Sequence, residues 1–185
     1  MADPVKIVGL CGSLRSGSYN RAALDAALEL ALEGVDMRVA EIGDLPLYNE
    51  DLRKDGYPPA VETFRETLRW ADAFLFVTPE YNYSIPGVLK NAIDWGSRPP
   101  DQPFAGKAAA VMGASIGLLG TARAQYHLRQ MGVFLELQFV NRPEVMIGQA
   151  ASKVDAQGKL SDAGTREFIG KLMVSLRDFA VRLRG

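Results

Sequence analysis

The chain has very little cysteine and histidine, one of each in 185 residues. With Cys11 alone, no disulfide can close within the chain. That suits a reducing compartment, and the expected location is cytoplasmic. A single histidine beside a single cysteine leaves no His/Cys-rich metal site, and no metal-ligating residue is expected. Excess charge of either sign is also missing: 21 basic and 22 acidic residues leave a formal net charge of −1. Nucleic acid and anionic membrane are therefore not expected as partners. The strong acidity of a carrier that docks electrostatically on redox partners is missing too. No apolar run approaches the ~18 residues of a membrane span, and a first strand so close to Met1 leaves no room for a signal peptide. No repeat or low-complexity linker interrupts the chain, so residues 1–185 are expected to form one domain.

What is present concentrates first in residues 7–20. Ile7-Val8-Gly9-Leu10-Cys11 reads as a buried strand, followed by Gly12-Ser13-Leu14-Arg15-Ser16-Gly17-Ser18-Tyr19-Asn20 and a helix. A small polar loop between strand and helix suits a phosphate, because the first helical turn leaves N–H groups unpaired and the helix dipole favours negative charge. Ser13, Ser18 and Asn20 offer side-chain donors, and Arg15 a permanent charge. Gly12-x4-Gly17 has the spacing of a triphosphate loop, but Ser18 stands where that motif needs lysine and Tyr19 where it needs serine or threonine. The dinucleotide fingerprint is absent as well. The remaining fit is a single terminal phosphate, as in a mononucleotide; a plain helix-capping loop would have the same composition.

Strands and helices then alternate. A helix is expected over 20–33, with Ala23, Leu24, Ala27, Leu28 and Ala31 on one apolar stripe, and a strand over 35–42. Residues 43–59 read as a long loop, 60–70 as a helix and the apolar 73–78 as a central strand buried on both faces. Helices over 87–95 and 121–131 flank a strand over 107–113, and a fifth strand is expected over 133–140. The last helix carries Phe168, Ile169, Leu172, Met173, Leu176, Phe179, Ala180 and Leu183 on one side, with Ser161 or Asp162 near its cap. That stripe is core rather than a cofactor box. The pattern predicts a flavodoxin-like, doubly wound α/β fold with a five-stranded parallel sheet in the order 2-1-3-4-5.

In such sheets ligands bind at the carboxyl ends of the strands, where the strand order reverses. That selects the loops after strands one, three and four. The second of these, Pro79-Glu80-Tyr81-Asn82-Tyr83-Ser84, combines restricted backbone with flat rings and suits a flat heterocycle with polar edges. The third, Ser115-Ile116-Gly117-Leu118-Leu119-Gly120-Thr121, has glycines that admit close backbone approach. Either segment taken alone also reads as an ordinary turn.

Taken together, Gly12-Ser13-Leu14-Arg15-x2-Ser18-x-Asn20, Pro79-Glu80-Tyr81-Asn82 and Ser115-x-Gly117-x2-Gly120 make the chain resemble the NAD(P)H-dependent FMN reductases, which include chromate, quinone and azo reductases. The resemblance runs over essentially the whole chain. It implies that Ser13, Arg15, Ser18, Tyr19 and Asn20 hold the FMN phosphate. Pro79, Glu80, Tyr81 and Asn82 would contact the ring and ribityl chain, and Ser115, Ile116 and Gly117 would close the other side. Ile116, Leu118 and Leu119 depart from the more glycine-rich loop of many relatives. The implied chemistry is the cofactor's: NADPH or NADH delivers hydride, leaves, and a small-molecule electron acceptor takes its place, a ping-pong sequence with no catalytic side chain. The resemblance also implies a homodimer or homotetramer, with Tyr83, Arg123, Tyr126 and Glu144 as candidates for hydrogen bonds between subunits. Arg15 and Arg123 are the cations expected near the cofactor. Arg98, ~15 Å along the preceding helix, reads as a surface charge that only a neighbouring subunit could bring to the site.

Two other functions fit parts of the sequence. One is a flavodoxin-like electron carrier or flavin-binding sensor. The other is an α/β hydrolase, because Gly113-Ala114-Ser115-Ile116-Gly117 matches G-x-S-x-G. The hydrolase needs an acidic residue between its serine and its histidine, and none lies between Ser115 and His127.

Overall fold

The computed structural model describes residues 3–30 and 32–184. Alternating strands and helices appear in the order β1 (Val5–Cys11), α1 (Tyr19–Glu29), β2 (Val35–Ala40), α2 (Pro59–Trp70), β3 (Ala73–Val77), α3 (Gly87–Gly96), β4 (Ala108–Ala114), α4 (Ala122–Phe134), β5 (Gln138–Phe139), β6 (Val145–Ile147) and α5 (Ala163–Leu183). The strands are parallel in the order β2-β1-β3-β4-β5, with β6 also paired to β4. This is the order the sequence predicts.

The parallel sheet is apolar because both its faces are covered, and successive residues of one strand feed opposite layers. Ile7, Leu75, Val77, Ala110 and Met112 face α1 and α5, where they meet Ala23, Leu24, Ala27, Leu172 and Leu176. Val8, Leu10, Phe74, Phe76 and Val111 face the other way, toward Phe64 and Leu68 of α2, Leu89 and Ile93 of α3, and Leu128 of α4. Asp162 caps α5 by accepting the Thr165 N–H at 2.8 Å. Of the stripe expected on α5, Phe168 and Leu183 prove to be exposed. On α1, Leu28 is half-buried, and Ala31 lies outside the described residues. The long loop after β2 contains a short 3₁₀ turn, Glu50–Arg53. Among the described residues no helix is long and apolar enough to cross a membrane.

Of the fifth strand expected over 133–140, only Gln138–Phe139 forms, as β5. The alternating Val133, Leu135, Leu137 and Phe139 have the period of a strand, yet α4 runs on to Phe134 and then closes with a reversed turn. Glu136 adopts a φ of +56°. The Leu137 N–H donates to Gly132 O at 3.0 Å and the Glu136 N–H to Val133 O at 3.4 Å, the two bonds of a Schellman C-cap. The chain can reverse this tightly because Gly132 has no side chain; a Cβ there would lie 2.1 Å from the Phe139 ring. The fifth position of the sheet is thus divided. The two-residue β5 pairs with Ala108 and Ala109, and β6 with Met112 to Ala114.

Candidate functional site

The three loops singled out by the topological rule meet at one edge of the sheet. Loop one, residues 12–18, leaves β1 with the Gly12 N–H bonded to Val77 O at 2.8 Å. A Cβ on Gly12 would lie 3.2 Å from both Pro79 and Pro86, so loop one packs directly against loop two, residues 78–86. Loop two in turn abuts the base of loop three, residues 115–121: a Cβ on Gly113 would lie 2.1 Å from Thr78 O and 2.0 Å from Thr121 Oγ1.

Loop one ends in the N-terminus of α1. Ser18 is the N-cap, its Oγ accepting the Arg21 N–H at 3.2 Å. The N–H groups of Tyr19 and Asn20 have no partner among the described residues. Arg15 is exposed, forms no ion pair among the described residues, and rests 5.4 Å from the Tyr19 ring centroid. Two open N–H groups, the hydroxyls of Ser13, Ser16 and Ser18, and a free guanidinium form a donor set suited to a phosphate monoester. Beneath the loop, the Cys11 thiol is buried, donates to Ser13 O at 3.6 Å, and has its pKa raised by burial. It is not poised as a nucleophile.

Asn20 departs from the role expected of it. Its side chain is buried, 3% exposed, and faces β4. Nδ2 donates to Ala114 O at 2.9 Å, while Oδ1 accepts the Ala114 N–H at 2.8 Å. The backbone of Asn20 remains available to an anion, whereas its amide ties α1 to the residue where loop three begins.

The Glu80 side chain is likewise engaged within the chain. Its carboxylate accepts the N–H groups of Arg123 at 3.0 Å and Ala124 at 3.2 Å, and pairs with Arg123 Nε at 2.6 Å. Tyr81 and Ser84 exchange two backbone bonds around Asn82 (φ +50°) and Tyr83 (φ +67°), the pattern of a type I′ turn. The Arg123 guanidinium lies 3.7 Å from the Tyr83 ring centroid, and Ser84 Oγ is 3.0 Å from His127 Nδ1. Tyr81, Tyr83 and Asn82 are otherwise exposed.

Loop three is braced from behind by residues whose role the sequence did not suggest. Ser115 N–H donates to Ile147 O, Gln149 N–H to Gly117 O and Ala150 N–H to Ser115 O, at 3.0 to 3.1 Å. Ser115 Oγ accepts the Gly117 N–H at 3.0 Å. This leaves Ile116, Leu118 and Leu119 as exposed apolar side chains.

Two further expectations are modified, and the residues expected between subunits have partners within their own chain. Arg123 is not a free cation, because Glu80 holds it. Arg98 is half-buried rather than solvated, with one guanidinium nitrogen donating to Ser97 Oγ at 2.9 Å and its Cζ 5.5 Å from the Tyr48 ring centroid. Tyr126 donates to Glu144 at 2.9 Å within the chain, as Arg123 stacks on Tyr83 within the chain. The G-x-S-x-G match also has no catalytic partner, since His127 bonds Ser84 rather than Ser115.

A doubly wound sheet with a donor set suited to a phosphate and a ring-bearing loop at its switch point has the features of a mononucleotide-binding α/β protein. The sequence model of NADPH-dependent FMN reductases matches residues 5–152. The chain belongs to that family and is an FMN-dependent NAD(P)H oxidoreductase. It is 58% identical over 185 residues to an NAD(P)H-dependent FMN reductase of Pseudomonas aeruginosa, covering 100% of both chains. It is 49% identical over 191 residues to an NAD(P)H:quinone oxidoreductase of Solanum tuberosum, covering 100% of this chain and 97% of that one. Among solved structures it is similar to FerB, a flavoenzyme NAD(P)H:(acceptor) oxidoreductase of Paracoccus denitrificans, with a TM-score of 0.87 and 36% identity over 96% of this chain and 98% of that one.

Proposed function

We propose that this chain is a quinone reductase that holds FMN at the three-loop edge and uses NADH or NADPH as donor. The N–H groups of Tyr19 and Asn20 and the Arg15 guanidinium, all without a partner among the described residues, carry this reading. They would take the phosphate, with Ser13 and Ser18 adding hydroxyl donors. The backbone of Pro79 to Asn82 would lie along one side of the ring, and Ser115 to Gly117 along the other. When bound, FMN supplies the two-electron chemistry that links a nicotinamide donor to an acceptor. The protein's part is to bind the phosphate, hold the loops at a fixed separation and leave one face open. Donor and acceptor would then use that face in turn, which predicts ping-pong kinetics. Chromate is a second expected acceptor.

The exposed Tyr81, Tyr83, Ile116, Leu118 and Leu119 surround this edge, and apolar rims of this kind are suited to burial between subunits. We assign the working form to a homodimer or homotetramer of one-domain subunits, in the cytoplasm. The test is reconstitution with FMN, followed by anaerobic titration. Flavin bands bleached by NADPH or NADH and restored by a quinone, with parallel double-reciprocal plots, are the expected result. Failure to bind FMN would overturn the reading.

A further inference from the structure

The first turn of α4 lacks a cap of its own. Thr121, at the N-cap position, makes no side-chain capping bond, and no acidic residue lies in the turn. The missing acceptor comes from loop two instead. The Glu80 side chain, 8% exposed, reaches across 43 residues of sequence to the N–H groups of Arg123 and Ala124. A carboxylate at a helix N-terminus is favoured by the dipole, and the bond to the Arg123 guanidinium is charge-assisted.

We propose that Glu80 is a positioning residue that sets the separation of loops two and three, and thereby the fit of FMN between them. The inference rests on the site proposed above. Glu80 lies in loop two, and α4 begins where loop three ends, so this carboxylate joins the two segments that would flank the ring. The adjoining turn needs such support. Asn82 and Tyr83 both hold positive φ; asparagine takes this conformation readily in a type I′ turn, but a tyrosine there needs the surroundings to impose it. The restraint comes from α4: Arg123 covers the Tyr83 ring at 3.7 Å, and His127, one turn further along, meets Ser84 at 3.0 Å. Glu80 is the innermost of these three ties and the one with the most bonds.

The experiment compares wild type, Glu80→Gln and Arg123→Lys. It measures FMN affinity by flavin-fluorescence titration, visible circular dichroism of the loaded protein, and thermal melting of the FMN-free protein. Glutamine keeps an acceptor for the α4 N–H groups but loses the ion pair; Arg123→Lys keeps both backbone bonds. Glu80→Gln is expected to raise the FMN Kd about tenfold and to alter the visible dichroism. The FMN-free melt should fall by no more than about 4 °C. Arg123→Lys is expected to show a smaller rise in Kd, and it supplies the same readouts should Glu80→Gln not fold. Wild-type Kd and dichroism in a folded Glu80→Gln would overturn the proposal. So would a loss of affinity matched in both variants by collapse of the FMN-free melt, which would reduce Glu80 to a helix cap. If wild type itself does not bind FMN, the site reading falls and this proposal with it; unchanged binding in the variants alone removes only the proposal.

Discussion

Asn20 and Ala114, 94 residues apart, exchange two buried hydrogen bonds at 2.8 and 2.9 Å, one in each direction. The pair joins the start of α1, which would hold the phosphate, to the end of β4, where loop three begins. Asn20→Ala would leave a buried N–H and a buried carbonyl unpaired. We expect a loss of about 2–4 kcal/mol in stability, read by urea denaturation of the FMN-free protein. Asn20→Asp should be no rescue at neutral pH, because a carboxylate accepts the Ala114 N–H but faces the Ala114 carbonyl with a second negative atom.

Arg15 should behave in the opposite way. It is exposed, and its one contact of note is the Tyr19 ring, so Arg15→Ala should leave stability within about 0.5 kcal/mol of wild type. FMN affinity should fall about tenfold at low salt, and by less as salt screens the lost charge. An affinity unchanged at every salt concentration would remove Arg15 from the phosphate site.

Asn20 and Glu80 also show how far sequence reading reaches. The layered fold was legible because its signals are local: central strands β3 and β4 of unbroken apolar character and helices with an apolar stripe. The edge at which the site is proposed follows from the same signals, since the topological rule needs only strand order. The direction of a polar side chain is not encoded locally. Asn20 opens α1 and Glu80 lies in loop two, both in segments of the right composition, and residue type alone does not tell a ligand from a brace. Ala114 and Ala124 engage only through their backbones, which no side-chain pattern reports. The start of the fifth strand was misplaced for a related reason: a period of two over 133–140 matched a longer strand than the two-residue β5, while the glycine that permits the reversed turn lies just before it.

Lys107 gives a prediction at alkaline pH. Its Nζ donates to Leu68 O at 3.0 Å, near the C-terminus of α2, and burial lowers its pKa from 10.5 to about 8. In the unfolded chain this lysine stays protonated to higher pH than in the folded one. Its contribution to stability should therefore rise with pH between about 8 and 10.5. Lys107→Met should flatten that part of the stability profile, measured by denaturant melts across the range.

Asp101 governs the acid side. Hydrogen bonds from Arg69 and from the buried Arg65 lower its pKa from 3.8 to about 2, burial opposing them. The stabilisation is present above the unfolded value near 3.8 and is lost as pH falls toward 2. Asp101→Asn should remove that part of the acid dependence. Its loss at neutral pH should exceed that of an isolated surface pair, because it leaves the fully buried Arg65 guanidinium without its carboxylate.

Tyr83 separates backbone strain from ring function. At a φ of +67°, following Asn82 in a type I′ turn, it stands where glycine fits best. Tyr83→Gly would relieve strain of about 1 kcal/mol or more. It would also remove the ring beneath Arg123, a contact of about 0.5–1 kcal/mol at an exposed site. These terms nearly cancel, so the melting temperature should stay close to that of wild type. Function should not. Without the ring, Arg123 keeps its bonds to Glu80 but loses its cover, and the apolar rim around the proposed acceptor face loses one of its largest members. The expected result is a raised KM for quinones with little change in FMN affinity. If Tyr83→Gly instead loses FMN while keeping the wild-type melt, the tyrosine's task is to hold the cofactor loop. If neither constant moves, its ring is dispensable to the acceptor face and the subunit interface becomes the place to look for its effect, by light scattering of the same variant.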